Sequence, residues 1–152
     1  MIVDLVRNDL SRIAQKATVE VTELCGIHSF QTVHQMVSTI ECTILEDKGV
    51  SDILRATFPM GSMTGAPKIS AMKHIDRIEL EGRGTYSGSI GYITPTGDFD
   101  FNVLIRTLFH NSKTEMLVAN VGGAITSLSD AHEEYDECML KADAIVKAVS
   151  NK

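Results

Sequence analysis

The chain has 152 residues, 43% hydrophobic and 22% charged, which suits one soluble globular domain rather than a disordered or membrane-embedded chain. A net charge of −6 excludes a nucleic-acid surface, which needs clustered Lys and Arg; an anionic small molecule would need local help from a metal ion, an arginine or backbone amides. Cys25, Cys42 and Cys138 are odd in number and fit no C-x-x-C spacing, so they read as reduced core thiols of a cytoplasmic protein, and no segment looks like a signal peptide or membrane span.

In chain order, Val6, Leu10 and Ile13 recur at helical spacing and predict an opening helix. Thr18-Val19-Glu20-Val21 is β-branched and suits a strand, and apolar residues at even positions from Met36 to Ile44 give strand alternation through Phe30–Ile44, with His34 and Ser38 on the apolar face. Ser51 is the predicted N-cap of a short helix through Ile53, Leu54 and Phe58. A glycine-bearing loop from Pro59 to Lys68 follows, with Pro67 in the first turn of a helix striped by Ile69, Met72 and Ile75. Tyr86–Thr94, Phe99–Phe109 and Glu115–Val121 read as strands joined by Pro95–Asp98 and Asn111–Lys113 turns. Ser129 or Asp130 caps a long last helix whose apolar face includes Tyr135, Cys138, Met139, Ala142 and Ile145. This order predicts one α+β domain over 1–152, with helices packed on antiparallel β-sheet.

Several residues could carry chemistry. Glu134, Glu137 and Lys141 fall at i, i+3 and i+7 on the last helix, one polar stripe. It is either a solvated edge or a paired-carboxylate grip on a hard divalent cation such as Mg²⁺. The Gly61–Lys68 loop misses the phosphate-loop pattern because Ala66-Pro67 intervenes, but a loop feeding a helix N-terminus suits a carboxylate as well as a phosphate. Gly82–Gly88 misses the dinucleotide spacing by one residue. Arg106, inside the apolar run Val103–Leu108, needs a partner carboxylate or a bound anion if it is buried in a strand. Tyr92 and the Gly122-Gly123 pair suit either plain structure or a ligand contact.

Five segments together resemble the chorismate-binding domain shared by anthranilate, aminodeoxychorismate, isochorismate and salicylate synthases. They are Met1–Leu10 (MIVDLVRNDL), Phe58–Lys68 (FPMGSMTGAPK), Gly88–Tyr92 (GSIGY), Ile105-Arg106-Thr107, and Glu134–Glu137 with Lys141-Ala142. Ser62-Met63-Thr64 before Gly65–Lys68, and Ser89 within Gly88–Tyr92, are more similar to the aminodeoxychorismate branch than to the anthranilate branch. The resemblance implies Glu134 and Glu137 as Mg²⁺ ligands, Glu137 the more direct, and catalytic roles for Lys141 and Thr64. It also implies that Arg106 and Tyr92 grip the pyruvyl carboxylate, with Gly65, Gly122 and Gly123 on the substrate.

The implied reaction adds ammonia to chorismate, giving 4-amino-4-deoxychorismate for para-aminobenzoate and folate synthesis, with a glutamine amidotransferase subunit as the ammonia source. Three departures stand out. Ala124 replaces a third family glycine, and Gln35 replaces the histidine associated with elimination, with His34 one place off. By the resemblance residues 1–152 are the C-terminal part of a chorismate-binding domain: the chain begins just after the family's other metal-ligating glutamate would appear and lacks the upstream lysine motif. The 152-residue stretch is therefore expected not to catalyse alone and to self-associate, as a homo-oligomer, through uncovered apolar faces. The alternatives are an anthranilate synthase portion and a non-catalytic remnant or regulatory binding module.

Overall fold

The computed structural model describes residues 1–31 and 33–150, in two compact units, Met1–Leu80 and Glu81–Lys152. Its elements are helices and antiparallel hairpins, as an α+β reading expects.

The first unit opens with helix α1, Ile2–Ser11, which ends where Ile13 N–H bonds Leu10 O at 3.0 Å. The chain then runs beside residues 43–45: Gln15 N–H donates to Thr43 O at 2.8 Å and Leu45 N–H to Ile13 O at 2.9 Å. That crossing buries Ile13, 3% exposed, which with Ala56 of the next helix is the buried apolar core among the described residues. Strand β1, Glu20–Ser29, pairs antiparallel with β2, His34–Glu41. The register slips twice, between Val21 and Glu23 and between Glu23 and Gly26, and Cys25 takes a positive φ of 54° inside the second bulge. The cysteines are not the core residues the sequence predicts: Cys25 is exposed, turned out by the bulge, and Cys42 and Cys138 are only partly covered, though burial pushes the Cys42 thiol above its ordinary range.

Helix α2 is Val50–Thr57. Its N-cap is Gly49 rather than the predicted Ser51, because Asp52 Oδ2 accepts the Gly49 N–H at 3.0 Å and starts the helix two residues earlier. The loop beyond makes one 3₁₀ turn at Gly61–Met63 before helix α3, Lys68–Ile78. Pro67 is the N-cap of α3, one place ahead of the predicted first turn, and its carbonyl accepts the Ala71 N–H at 2.9 Å.

In the second unit, β3 (Ser89–Ile93) pairs with β4 (Phe99–Val103), and β5 (Leu108–Asn111) with β6 (Met116–Ala119). Both predicted turns close these hairpins: Gly97 turns with φ 94° and Thr94 N–H reaches Asp98 O at 2.7 Å, while Asn111 Oδ1 accepts the N–H groups of Lys113 and Thr114. The predicted single strand Phe99–Phe109 is two strands. The ladder ends where Leu104 N–H bonds Gly88 O and Ser87 N–H bonds Leu104 O, both at 3.0 Å. Helix α4, Ala131–Ser150, closes the unit, and half of its apolar stripe is open, Tyr135 63% and Met139 51% exposed. Among the described residues, no helix is long and apolar enough to cross a membrane.

Candidate functional site

The start of α4 settles which residue caps it. Asp130 Oδ1 accepts the N–H groups of His132 at 2.9 Å and Glu133 at 3.3 Å, so Asp130 takes the cap position. Ser129, the other candidate, is thereby free for a different task. Its hydroxyl accepts the Thr126 N–H at 2.9 Å and donates to Glu134 Oε1 at 2.5 Å. The second carboxylate oxygen, Glu134 Oε2, is buried and has no hydrogen-bond partner.

One turn further along, Lys141 Nζ donates to Glu137 Oε1 at 2.5 Å and to Gly122 O at 3.0 Å. Glu137 is half exposed, so the pair adds a few tenths of a kcal/mol at most, roughly, and matters more for orientation. Gly123 sits among these groups. A β-carbon there would lie 2.9 Å from Glu134 Oε2, 3.7 Å from Glu137 Oε1 and 4.0 Å from Lys141 Nζ, and one on Gly122 would meet the Tyr86 hydroxyl at 3.0 Å. Glu134, Glu137, Lys141, Gly122 and Gly123 therefore converge on one cradle.

A buried carboxylate oxygen without a donor is costly, roughly 1–3 kcal/mol or more, and a hard cation or a donor from substrate would relieve it. Among the described residues no set of three or more His, Cys, Asp or Glu side chains could hold a metal. Two carboxylates are nevertheless what Mg²⁺ commonly takes from a protein when water and substrate oxygens complete its shell. The donor set thus fits a magnesium ion shared with a carboxylate ligand.

The other predicted site residues are placed differently. Arg106 is not in a sheet strand: it lies exposed in the break between β4 and β5, with φ 49°, and no salt bridge or side-chain hydrogen bond engages it among the described residues. The expected cost of a buried unpaired charge does not arise there. Tyr92, 62% exposed, stands on β3 opposite Asp100, beside Gly91, over which the Phe101 ring lies. No side-chain bond among the described residues ties Arg106 or Tyr92 to the carboxylates. Thr64 and Gly65 belong to the first unit, where the Thr64 hydroxyl donates to Met60 O at 3.2 Å and Gly65 has φ 148°.

In the hairpin of the first unit, His34 Nδ1 lies 2.9 Å from the Ser29 hydroxyl and Gln35 pairs directly across from His28, so the two neighbours occupy opposite faces. His28 Nε2 lies 2.8 Å from Glu23 Oε1, and Glu23 reaches it over Gly26, where a β-carbon would collide at 2.0 Å. Sequence reasoning missed the holding role of Ser129 and the hydroxyl of Tyr86. The adjacent Ser129-Asp130, two cap candidates for one position, was the available signal for the first.

Residues 1–147 match the family of chorismate binding enzymes. An aminodeoxychorismate synthase, chloroplastic, from Arabidopsis thaliana is 45% identical over 150 residues, 98% of this chain and 16% of that protein. Aminodeoxychorismate synthase component 1 of Escherichia coli K12 is 43% identical over 147 residues, 97% of this chain and 32% of that protein. The crystal structure of anthranilate synthase component I from Streptococcus pneumoniae superposes with a TM-score of 0.81 at 38% identity, covering 95% of this chain and 33% of the other. The chain thus spans about a third or less of the length of each.

Proposed function

The chain belongs to the chorismate binding enzyme family, and from that premise we propose that it is the chorismate- and magnesium-binding portion of an aminodeoxychorismate synthase component I. In the proposed reaction ammonia forms the new C–N bond on the chorismate ring and the ring hydroxyl leaves as water, giving 4-amino-4-deoxychorismate for para-aminobenzoate and folate synthesis. The observation that carries this reading is the cradle around Gly123, where Glu134 presents a bare, buried oxygen. Glu134 and Glu137 would hold Mg²⁺, which supplies charge neutralisation at the substrate carboxylate and the leaving hydroxyl. Lys141 holds Glu137 and the Gly122 carbonyl in place and is a proton donor within reach of the same glycine turn. Arg106 offers an unpaired guanidinium, and Tyr92 an exposed hydroxyl, to the enolpyruvyl carboxylate. Thr64 and Gly65, on the loop of the first unit, take in this proposal the substrate role that the family resemblance implies. A glutamine amidotransferase subunit supplies the ammonia, in keeping with the name component 1 of the Escherichia coli relative. The free cysteines suit a reducing compartment, which we take to be the cytoplasm.

The runner-up is amination followed by loss of pyruvate, giving anthranilate. Gln35 disfavours it, since an amide carries no titratable proton where the family's elimination histidine stands. Incubating the intact protein with chorismate, Mg²⁺ and ammonium separates the readings. The expected product keeps its enolpyruvyl side chain and no pyruvate is released. Anthranilate fluorescence with stoichiometric pyruvate supports the runner-up, and no turnover supports a non-catalytic binding module. In the same assay series, Ser129→Ala is expected to weaken Mg²⁺ binding by about 10-fold, because it removes the hydroxyl that holds Glu134 Oε1 and so orients the carboxylate. Calorimetric titration with Mg²⁺ reads this directly.

The uncovered apolar surface supports self-association of the 152-residue chain. Two separately folded bodies of half this mass would together expose about 9,100 Å², whereas the chain exposes 11,741 Å². The excess, roughly 2,600 Å², is in the range that obligate subunit interfaces bury. Ile27 and Met36, cross-strand neighbours 64% and 60% exposed, are part of it. At micromolar concentration the chain is expected to sediment as a dimer or larger assembly with a second copy on these faces. A single monomeric species that unfolds cooperatively on heating would overturn this.

A further inference from the structure

Helix α1 holds the loop that carries Thr64 and Gly65 at both of its ends. At the start, Gly61 is so close to α1 that a β-carbon on it would lie 2.9 Å from Leu5 Cβ. At the finish, Lys68 Nζ donates to Asp9 Oδ2 at 2.5 Å, a bond spanning 59 residues of sequence. Leu5 and Asp9 are i and i+4 on the helix, one above the other on the same face. The segment between is braced internally: Met63 N–H bonds Met60 O at 3.0 Å, the Thr64 hydroxyl donates to Met60 O, and Gly65 backs onto Ala71 Cβ of α3.

The charged end of this arrangement is unusual for so open a chain. Asp9 is 5% exposed, the buried charged residue among those described, and the Lys68 side chain is 14% exposed. Burying two charges costs desolvation that their attraction repays only in part, so such a pair contributes little net stability compared with apolar residues of the same size. What it does supply is a fixed distance between two elements. We propose that Asp9 and Lys68 are positioning residues: their buried ion pair locks the end of the Gly61–Pro67 loop onto α1, so that Thr64 and Gly65 meet the substrate in one set geometry. The inference rests on the proposed role of Thr64 and Gly65 at chorismate, while the lock itself does not.

The test uses the intact protein with Asp9→Asn, Lys68→Met, Lys68→Arg and the double variant Asp9→Asn/Lys68→Met. Three quantities are read: amide hydrogen exchange at Met63 and Thr64, KM and kcat for chorismate, and Mg²⁺ affinity. Each single neutral variant is expected to speed exchange at Met63 and Thr64 by about 10-fold, leaving the α4 amides unchanged. KM for chorismate should rise about 10-fold with a smaller change in kcat, because ground-state and transition-state binding suffer together. Mg²⁺ affinity should not move, Lys68→Arg should restore both readouts, and the double variant should be no worse than either single change. Should a single variant fail to fold, the double one, which leaves no buried charge unpaired, reads the same exchange. Unchanged loop exchange, or exchange and Mg²⁺ affinity altered together across the molecule, would overturn the lock. If the wild-type protein leaves chorismate unchanged, the function proposed above fails, and the exchange data still decide whether the pair restrains the loop.

Discussion

Glu134→Gln is expected to lower Mg²⁺ affinity by about 100-fold or more while the fold persists. Loss of an outer-shell partner typically costs about 10–100-fold in metal affinity, and Glu134 presents its oxygen directly. The amide keeps the shape of the side chain and an oxygen for the Ser129 hydroxyl, but the charge that would pair with a divalent cation is gone. Glu134 also lies in the first turn of α4, where a carboxylate is favoured by the helix dipole, so about 0.3–1 kcal/mol of stability is lost as well. The two effects differ enough in size to be separated: calorimetric titration should show the metal isotherm collapse, and thermal unfolding should show a shift of a few degrees only. Wild-type Mg²⁺ binding by this variant would remove Glu134 from the site.

Gly123→Ala is expected to reduce Mg²⁺-dependent chorismate binding by about 10-fold or more, through space rather than charge. The added methyl would stand 2.9 Å from Glu134 Oε2, inside the contact limit, and would push aside the buried oxygen that lacks a partner. No positive φ makes glycine obligatory for the backbone at this position, so folding should be little affected. Ala124 provides the internal comparison: Ala124→Gly should leave the Glu134 geometry alone, so that any gain it brings reports on substrate contact only. Equal chorismate affinity for wild type and Gly123→Ala would mean that the cradle is not where the substrate binds.

The polar stripe on α4 was legible because helical periodicity alone puts Glu134, Glu137 and Lys141 on one face, and the hairpin turns because Pro95-Thr96-Gly97-Asp98 and Asn111-Ser112-Lys113 hold residues with specific turn chemistry. The break at Arg106 was not. The run Val103–Leu108 is apolar enough to read as one strand, and only the pairing partner, whose last bonds to it are spent by Ser87 and Gly88 on Leu104, ends it. Likewise the bulges of β1 depend on where Ser38 and Thr39 fall opposite them, which no property of Glu23 or Cys25 reveals. The α2 cap was misread because Ser51 has the usual cap side chain, whereas Gly49 is held by Asp52 from three residues downstream. The Glu134 oxygen is a packing fact: periodicity puts the carboxylate on a face, and only the approach of Ser129 and Gly123 shows that one of its oxygens is held and the other bare.

The sheets among the described residues are each a single two-stranded hairpin, closed over short stretches of sequence. Contacts of that kind form within microseconds, because little loop entropy opposes them. A lone hairpin is nonetheless only marginally stable in water, and each of these has two edges with no further strand in its ladder. The local architecture is therefore fast to appear and slow to be locked in: lifetime is set by whichever surface arrives to cover it, so a newly made chain is at its most vulnerable to proteases and to mispairing in the interval between those two events.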